Sequence, residues 1–453
     1  MTEKPGVQPH SHVPGVTGTP DDVVDVDHGL DAETIAEHAL TDFALDDVQT
    51  DLKGSMRAMV QRLKHGDLGS LPAVLAIAVL VLIFGLARPD SFLTKLNLSN
   101  FLEQASSVIV IAMAVTFVLL LGEIDLAAGY TAGVAGAVLA TRLQADWPLV
   151  AAMAMSLLVA VALGTFTGVM VAKVGIPSFV VTLANVLLFQ GILLLLVRDG
   201  GSIRMDSELV NDIVGGALSP GLSWVVSIFG VGLFAISQIR KQRRSYGSLP
   251  MSLVAIRIGF AVVLIGIITF VLNQNRAFAS APAPIKGMPI VIPLVAILVV
   301  VLTFVLSRTV YGRHLYAVGG NPEAARRAGI NVQMLRLSAF AVTGLIAGIG
   351  GWFLASRVNS VDSNTGANDT LLLAVGAAVI GGTSLFGGRG RMINAVLGGL
   401  VLALIPNGLG LIGKTDIFGY EIDFSSSGVK FICSGLALLV ASSVDALSRK
   451  RTA

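Results

Sequence analysis

Few side chains in this sequence can do chemistry. Glu123 and Asp125 stand between apolar stretches in LLLGEIDLAAGYTAGVAGA, residues 119–137. A carboxylate near a bilayer interior is costly, and by default it marks a substrate or ion pathway. Gly122 and Gly129 can break a helix there, the arrangement needed where backbone lines a transport site. The other reading is an ordinary short loop, and the residues alone leave both open. Asn185 and Gln190 lie five apart in one apolar stretch, where they can bond a hydroxylated solute or tie two helices together. The histidines, His10, His12, His28, His38, His65 and His314, all fall outside apolar spans, which leaves no histidine metal site or proton relay within the membrane. The lone Cys433 has no intrachain disulfide partner. No nucleophile–base set is present, so no catalytic residue and no metal ligand is expected. Residues 408–415, GLGLIGKT, fit the phosphate-loop pattern by letter. That loop needs a strand before it and a helix after it, whereas this match ends an apolar run.

The elements that must position these residues are membrane helices. Hydrophobic residues make up 54% of the chain and charged ones 13%, where a soluble domain carries about a quarter charged. About twelve apolar stretches are long enough to approach a crossing: 71–87, 104–121, 126–141, 149–171, 177–197, 222–238, 253–272, 289–306, 335–355, 369–386, 393–412 and 428–446. The third is short and interrupted by glycine, so eleven spans with one broken helix also fits. The pattern predicts an all-α, polytopic membrane helical bundle over 66–453, multi-pass in a plasma membrane.

Charge orients the bundle. With the N-terminus inside, the inside loops hold Arg240, Lys241, Arg243 and Arg244, then Arg308, Arg313, Arg326, Arg327 and Arg336, then Arg389 and Arg391. Outside loops hold scattered bases such as Arg88, Arg276 and Lys414 together with most of the acids of the membrane body. The excess of bases predicts both termini in the cytoplasm. Residues 1–51 carry twelve acids and one base, leaving 17 acids against 30 bases in the rest. Residues 1–65 read as an acidic, largely disordered cytoplasmic tail.

The longest basic inside loop, 307–332, contains a helix signature. Asn321 is an N-cap, Pro322 a first position, Glu323 a first-turn acid and Gly329 a stop. The residues alone predict a short connecting helix. Glu323-Ala324-Ala325 followed by Arg326 and Gly329-Ile330-Asn331 resembles the coupling-helix motif of ribose/xylose-type ATP-binding cassette (ABC) permeases. The segment around Asp125 resembles that family's Gly-x-Ile-Asp-Leu-Ser-x-Gly stretch, with Ala127 replacing the serine. Ile380-Gly381-Gly382-Thr383-Ser384 and Gly387-Gly388-Arg389-Gly390 resemble it most closely, and the long middle region is similar to the xylose-type members. One departure stands out: the family's Glu-Leu-Asp/Asn ahead of the Ile-Gly-Gly-Thr-Ser segment is Leu371, Leu372 and Leu373 here.

The resemblance implies a type II importer-like permease in a bacterial inner membrane, not itself an enzyme. It assigns Glu323, Ala324, Ala325, Arg326, Gly329, Ile330 and Asn331 to contact with an ABC ATPase dimer that holds ATP and Mg. It implies an extracytoplasmic sugar-binding protein, a second permease copy or paralogue, and a monosaccharide cargo such as xylose or ribose. No cofactor is expected on this chain, and no nucleic-acid partner. Glu123, Asp125, Asn185, Gln190, Asn364 and Asp369 are the candidates for the substrate pathway. The competing class is an ion-driven secondary transporter, which would need buried titratable groups, and Glu123 and Asp125 are its candidates.

Overall fold

The computed structural model describes residues 70–198, 201–244, 251–277, 283–417 and 420–450. The acidic tail lies outside them, as do residues 245–250 after Arg244. Each apolar stretch predicted from sequence holds a helix, although residues 381–386 of the tenth stretch form a loop. In chain order the helices are α1 (Leu71–Ala87), the short α2 (Pro89–Phe92), α3 (Lys95–Leu119), α4 (Ala128–Gln144), α5 (Leu149–Val169) and α6 (Ser178–Val197). Strand β1 (Ser202–Arg204) and α7 (Glu208–Gly215) lead to α8 (Pro220–Arg244), α9 (Met251–Leu272) and α10 (Val291–Arg308). Then come α11 (Val310–Gly320), α12 (Pro322–Arg327), α13 (Val332–Val358), β2 (Ser360–Asp362), α14 (Asn368–Ile380) and α15 (Met392–Ile412). The hairpin β3 (Lys414–Ile417) and β4 (Tyr420–Asp423) precedes α16 (Ser427–Lys450). Eight helices among the described residues are long and apolar enough to span a membrane.

Burial ranks these helices. The apolar window of α3 is 83% buried, whereas those of α8 and α9 are 11% buried. The first is the bundle's axis, and the other two pack mainly on each other and offer apolar faces to lipid. Lipid tails supply no hydrophobic drive between helices, so close backbone approach and buried polar links hold the centre. Along α13, small residues admit its neighbours: a Cβ on Gly344 would lie 2.4 Å from the Ala160 carbonyl of α5, and one on Gly351 would lie 2.0 Å from that of Ala132 in α4. Thr343 Oγ1 donates to the Ala114 carbonyl of α3 at 3.0 Å. Trp352 Nε1 donates to Ser156 Oγ at 3.0 Å, and Ser156 passes a 2.6 Å bond to the Ala135 carbonyl.

These contacts fix directions. Thr343 lies by Ala114 and Gly350 by Ile111, so α13 runs antiparallel to α3. Gly351 lies by Ala132 while Ala355 lies by Gly136, so α13 runs parallel to α4. Helix α4 therefore begins level with the middle of α13, roughly 20 Å along from its start at 1.5 Å per residue. Residues 120–127 form a non-helical, re-entrant segment that climbs from one end of the bundle to its middle. Span three is thus a separate, half-depth helix behind a break, with Gly122 at φ +75°.

The loops separate as the charges predict. At the basic end, the Gly388 N–H donates to the Leu120 carbonyl at 2.9 Å, and Tyr316 Oη donates to the Gly390 carbonyl at 2.7 Å. At the opposite end β1 pairs antiparallel with β2, Ala217 bridges Pro289, and Arg88 donates to the Ile412 carbonyl at 2.8 Å.

Candidate functional site: a coupling surface and an outer cleft

The basic end presents α12. Asn321 Oδ1 accepts the Ala324 N–H at 3.0 Å, and Pro322 takes the first position, where its missing N–H costs nothing. The helix stops in a Schellman arrangement. Gly329 takes φ +83°, its N–H bonds the Arg326 carbonyl, and the Ile330 N–H bonds the Ala325 carbonyl at 3.1 Å. Two residues later Asn331 Oδ1 caps α13 through the Met334 N–H at 3.0 Å. The side chains then sort by side. Ala325 is 5% exposed and Ile330 half-buried, so both hold the helix onto its own chain. Glu323, Ala324, Arg326, Arg327, Gly329 and Asn331 are exposed. The sequence reading that put all seven residues in a contact surface is therefore narrowed: Ala325 anchors, because a methyl on that face meets α13 and the core. Glu323 and Arg326 form a 3.2 Å ion pair along the free face. Replacing Asn321 by Ala removes the cap, and a loss of about 1 kcal/mol of local stability is expected, read as faster hydrogen exchange confined to 322–328.

Above α12 lies the re-entrant segment. Asp125 is 4% exposed, and its Oδ1 accepts the Ala127 N–H at 2.8 Å. Its charge sits where α4 begins and the helix dipole favours an anion, which gives an interior carboxylate a structural reason. Ile124 is clasped by α6: its N–H donates to Ser178 Oγ and its carbonyl accepts from Thr182 Oγ1, each at 3.2 Å. Glu123 Oε1 lies 3.0 Å from Arg336 Nε in the second turn of α13. Asn185 Nδ2 donates to Thr167 Oγ1 at 2.9 Å, tying α6 to α5. Gln190 is half-buried on α6. Asn364 is exposed in the turn after β2, and its N–H donates to Asp362 Oδ1 at 3.0 Å. Asp369 falls in the first turn of α14, and its side chain lies outside the described residues.

Of these six, the five with described side chains do not line the cavities at the opposite end. A cleft of about 500 Å³ opens between α3, α13, α15 and α16, lined by Asn97, Asn100, Glu103, Gln104, Arg357, Asn407 and Lys430 among others. A second hollow of about 250 Å³ shares Gln104, Arg357, Pro406 and Lys430 with it and runs deeper, to Ser107, Thr370, Leu373, Leu402 and Ser434. Glu103 accepts from Ser99 Oγ at 2.8 Å. Burial pushes the nearby Arg276 guanidinium, in the loop after α9, below its ordinary range, and the Glu103 carboxylate pulls it back up. Asn407 Nδ2 donates to Asn97 Oδ1 at 3.0 Å, while Asn407 Oδ1 has no partner. Pro406, inside α15, cannot donate to the Leu402 carbonyl, so an acceptor is freed beside the deeper hollow. Amide, carboxylate, ammonium and guanidinium groups around a cavity of this size suit a small polyhydroxylated solute. The sequence signal available was Pro406-Asn407 within an apolar span.

The phosphate-loop lookalike is excluded by its surroundings. Gly408 lies in α15 against Phe84, and Lys414 opens β3, paired with Glu421 at 2.9 Å. The order is helix then strand, the reverse of a phosphate loop.

Comparison with known proteins agrees with this architecture. The family described as "Branched-chain amino acid transport system / permease component" matches residues 97–420. The xylose transport system permease protein XylH of Escherichia coli (strain K12) is 32% identical over 396 residues, covering 86% of this chain and 95% of that protein. The protein of the same name from Haemophilus influenzae is 31% identical over 403 residues, covering 86% and 99%. The ribose import permease protein RbsC of Escherichia coli (strain K12) is 28% identical over 346 residues, covering 76% and 87%. No solved structure matches the chain. The apolar helices and this coverage make the chain a multi-pass inner-membrane protein and a pore-forming subunit rather than an enzyme, and it belongs to the transport-system permease family, with the ribose/xylose-type ABC permeases.

Proposed function

We propose that this chain imports a pentose, xylose or a close relative, by alternating access driven by a separate ABC ATPase. The observation that carries the reading is α12: a six-residue helix capped at both ends, anchored by Ala325 and bearing a charged face left exposed among the described residues. Such a helix suits a mobile cytoplasmic partner. Two ATPase subunits holding ATP and Mg, an extracytoplasmic binding protein and a second permease copy complete the importer. The sugar enters through the outer cleft, where Gln104, Asn407 and Lys430 meet its hydroxyls. Leu373 gives the deeper hollow an apolar wall where the resembling permeases carry an acid or amide. The ion-driven alternative is less well supported, since Glu123 is paired with Arg336 and Asp125 is bonded to the Ala127 N–H ahead of α4.

The test is reconstitution of the chain with its ATPase and binding protein in liposomes. ATP-dependent accumulation of labelled xylose or ribose, but not leucine, is expected, and accumulation of leucine alone would refute the pentose reading. Replacing Asn407 by Leu removes one buried acceptor and the link to Asn97, and is expected to raise KM for the sugar about tenfold. An unchanged KM would remove the cleft from the pathway.

A further inference from the structure

We propose that the Glu123–Arg336 ion pair is the strut that carries displacement of the coupling helix into the re-entrant segment, which makes both side chains positioning residues of the transport cycle. The proposal rests on the ATPase-driven reading of α12.

The two ends of the strut sit on different machinery. On one side, α12 and α13 are joined through the four-residue link 328–331, closed by the Gly329 stop and the Asn331 cap, with Ala325 and Val332 buried beneath it. A push on α12 therefore moves the first turns of α13, and Arg336 stands in the second of them. On the other side, Glu123 is followed immediately by two residues that hold helix starts. Ile124 binds the start of α6 through Ser178 and Thr182, and Asp125 accepts the N–H of Ala127, the residue from which α4 starts. A displacement received at Glu123 reaches the starts of α4 and α6 together, and α4 begins at mid-depth.

The chemistry suits transmission. The Glu123 side chain is 13% exposed and that of Arg336 32% exposed, so water screens the pair only in part. Arg336 Nε lies 3.0 Å from Glu123 Oε1, yet it has no aligned hydrogen bond. The contact is held by charge rather than direction, and it persists through small changes of angle as the helices shift. The ion pairs Glu323–Arg326 and Lys414–Glu421 close within one helix and one hairpin, whereas this pair joins segments distant in sequence.

The test uses the full importer with Cys433→Ser as background. Glu123→Gln and Arg336→Gln are each expected to lower sugar uptake about tenfold, the scale of coupling carried by one residue of a network, while ATPase co-purification and ATP turnover persist. Arg336→Lys and the exchange Glu123→Arg with Arg336→Glu are expected to recover most of the uptake. Wild-type uptake in the single variants, joint loss of uptake and ATP turnover, or failure of both recovery variants would overturn the strut. A sugar-independent measurement separates this from the cargo reading. With Ile124→Cys and Ser178→Cys, ATP is expected to change the rate of disulfide formation when Arg336 is present and not in Arg336→Gln. An ATP effect of equal size in both refutes the strut even if the wild-type importer carries a different solute.

Discussion

Gly319→Ala is expected to abolish uptake and lower stability, while Gly320→Ala, one residue on, leaves both unchanged. A Cβ at 319 would lie 1.8 Å from the Leu120 carbonyl oxygen and 2.6 Å from the Gly388 nitrogen, whereas a Cβ at 320 meets nothing within 4 Å. The obstructing atoms are backbone, so no side-chain rotation relieves the clash. The Gly388 N–H already bonds the Leu120 carbonyl, so a shift that makes room breaks that bond as well. Overpacking of this kind costs about 1–3 kcal/mol where side chains can yield, and more is expected where they cannot. Gly319 is also the penultimate residue of α11, two before the Asn321 cap of α12. The junction therefore ties α12 to the foot of the re-entrant segment and to the 381–391 loop. The check is thermal unfolding in detergent beside liposome uptake. Equal melting temperatures and equal uptake for the two alanine variants would mean that the three loops are not held together at this point.

The helices were legible because hydropathy reports span length directly, and the ends of α12 were legible because caps are local: Asn321, Pro322 and Gly329 act on residues within five positions. The inward turn of Ala325 was not, because only the packing of α12 on α13 decides which alanine of the pair is covered. The outer cleft was invisible for a related reason. Its polar groups come from four helices, four from the first turns of α3 and one each from α13, α15 and α16, and Asn97 and Asn407, hydrogen-bonded to each other, are 310 residues apart. Each alone reads as an ordinary polar residue near a span end. Asp125 shows the converse. The residues alone left a pathway acid and an ordinary loop acid both open, and the structure adds a local bond, from the Ala127 N–H where the segment re-enters the bundle ahead of α4. The partner of Glu123 was not legible, because Arg336 lies on another span.

Exchanging the coupling-helix charges, Glu323→Arg with Arg326→Glu, is expected to uncouple the importer without unfolding the permease. The two side chains are 67% and 62% exposed, and the ion pair they form is internal to α12. Exposed pairs contribute about 0–1 kcal/mol, and the exchange preserves opposite charges at i and i+3 while costing a little against the helix dipole. Folding and insertion should then survive, as judged by elution from a sizing column and by melting temperature. A partner that reads the surface meets a reversed pattern. Its matched charges now face like charges at two points, and a central contact of this kind is worth about 2–4 kcal/mol, which corresponds to a fall of about 30- to 1,000-fold in affinity. Pull-down from solubilised membranes should recover an ATPase with the wild-type chain and not with the exchanged one, and uptake should fall in step. Exchanging the complementary charges on the ATPase should restore both. Recovery of the ATPase at wild-type levels by the exchanged chain would show that the partner reads the shape of α12, through Ala324 and Gly329, and not its charge.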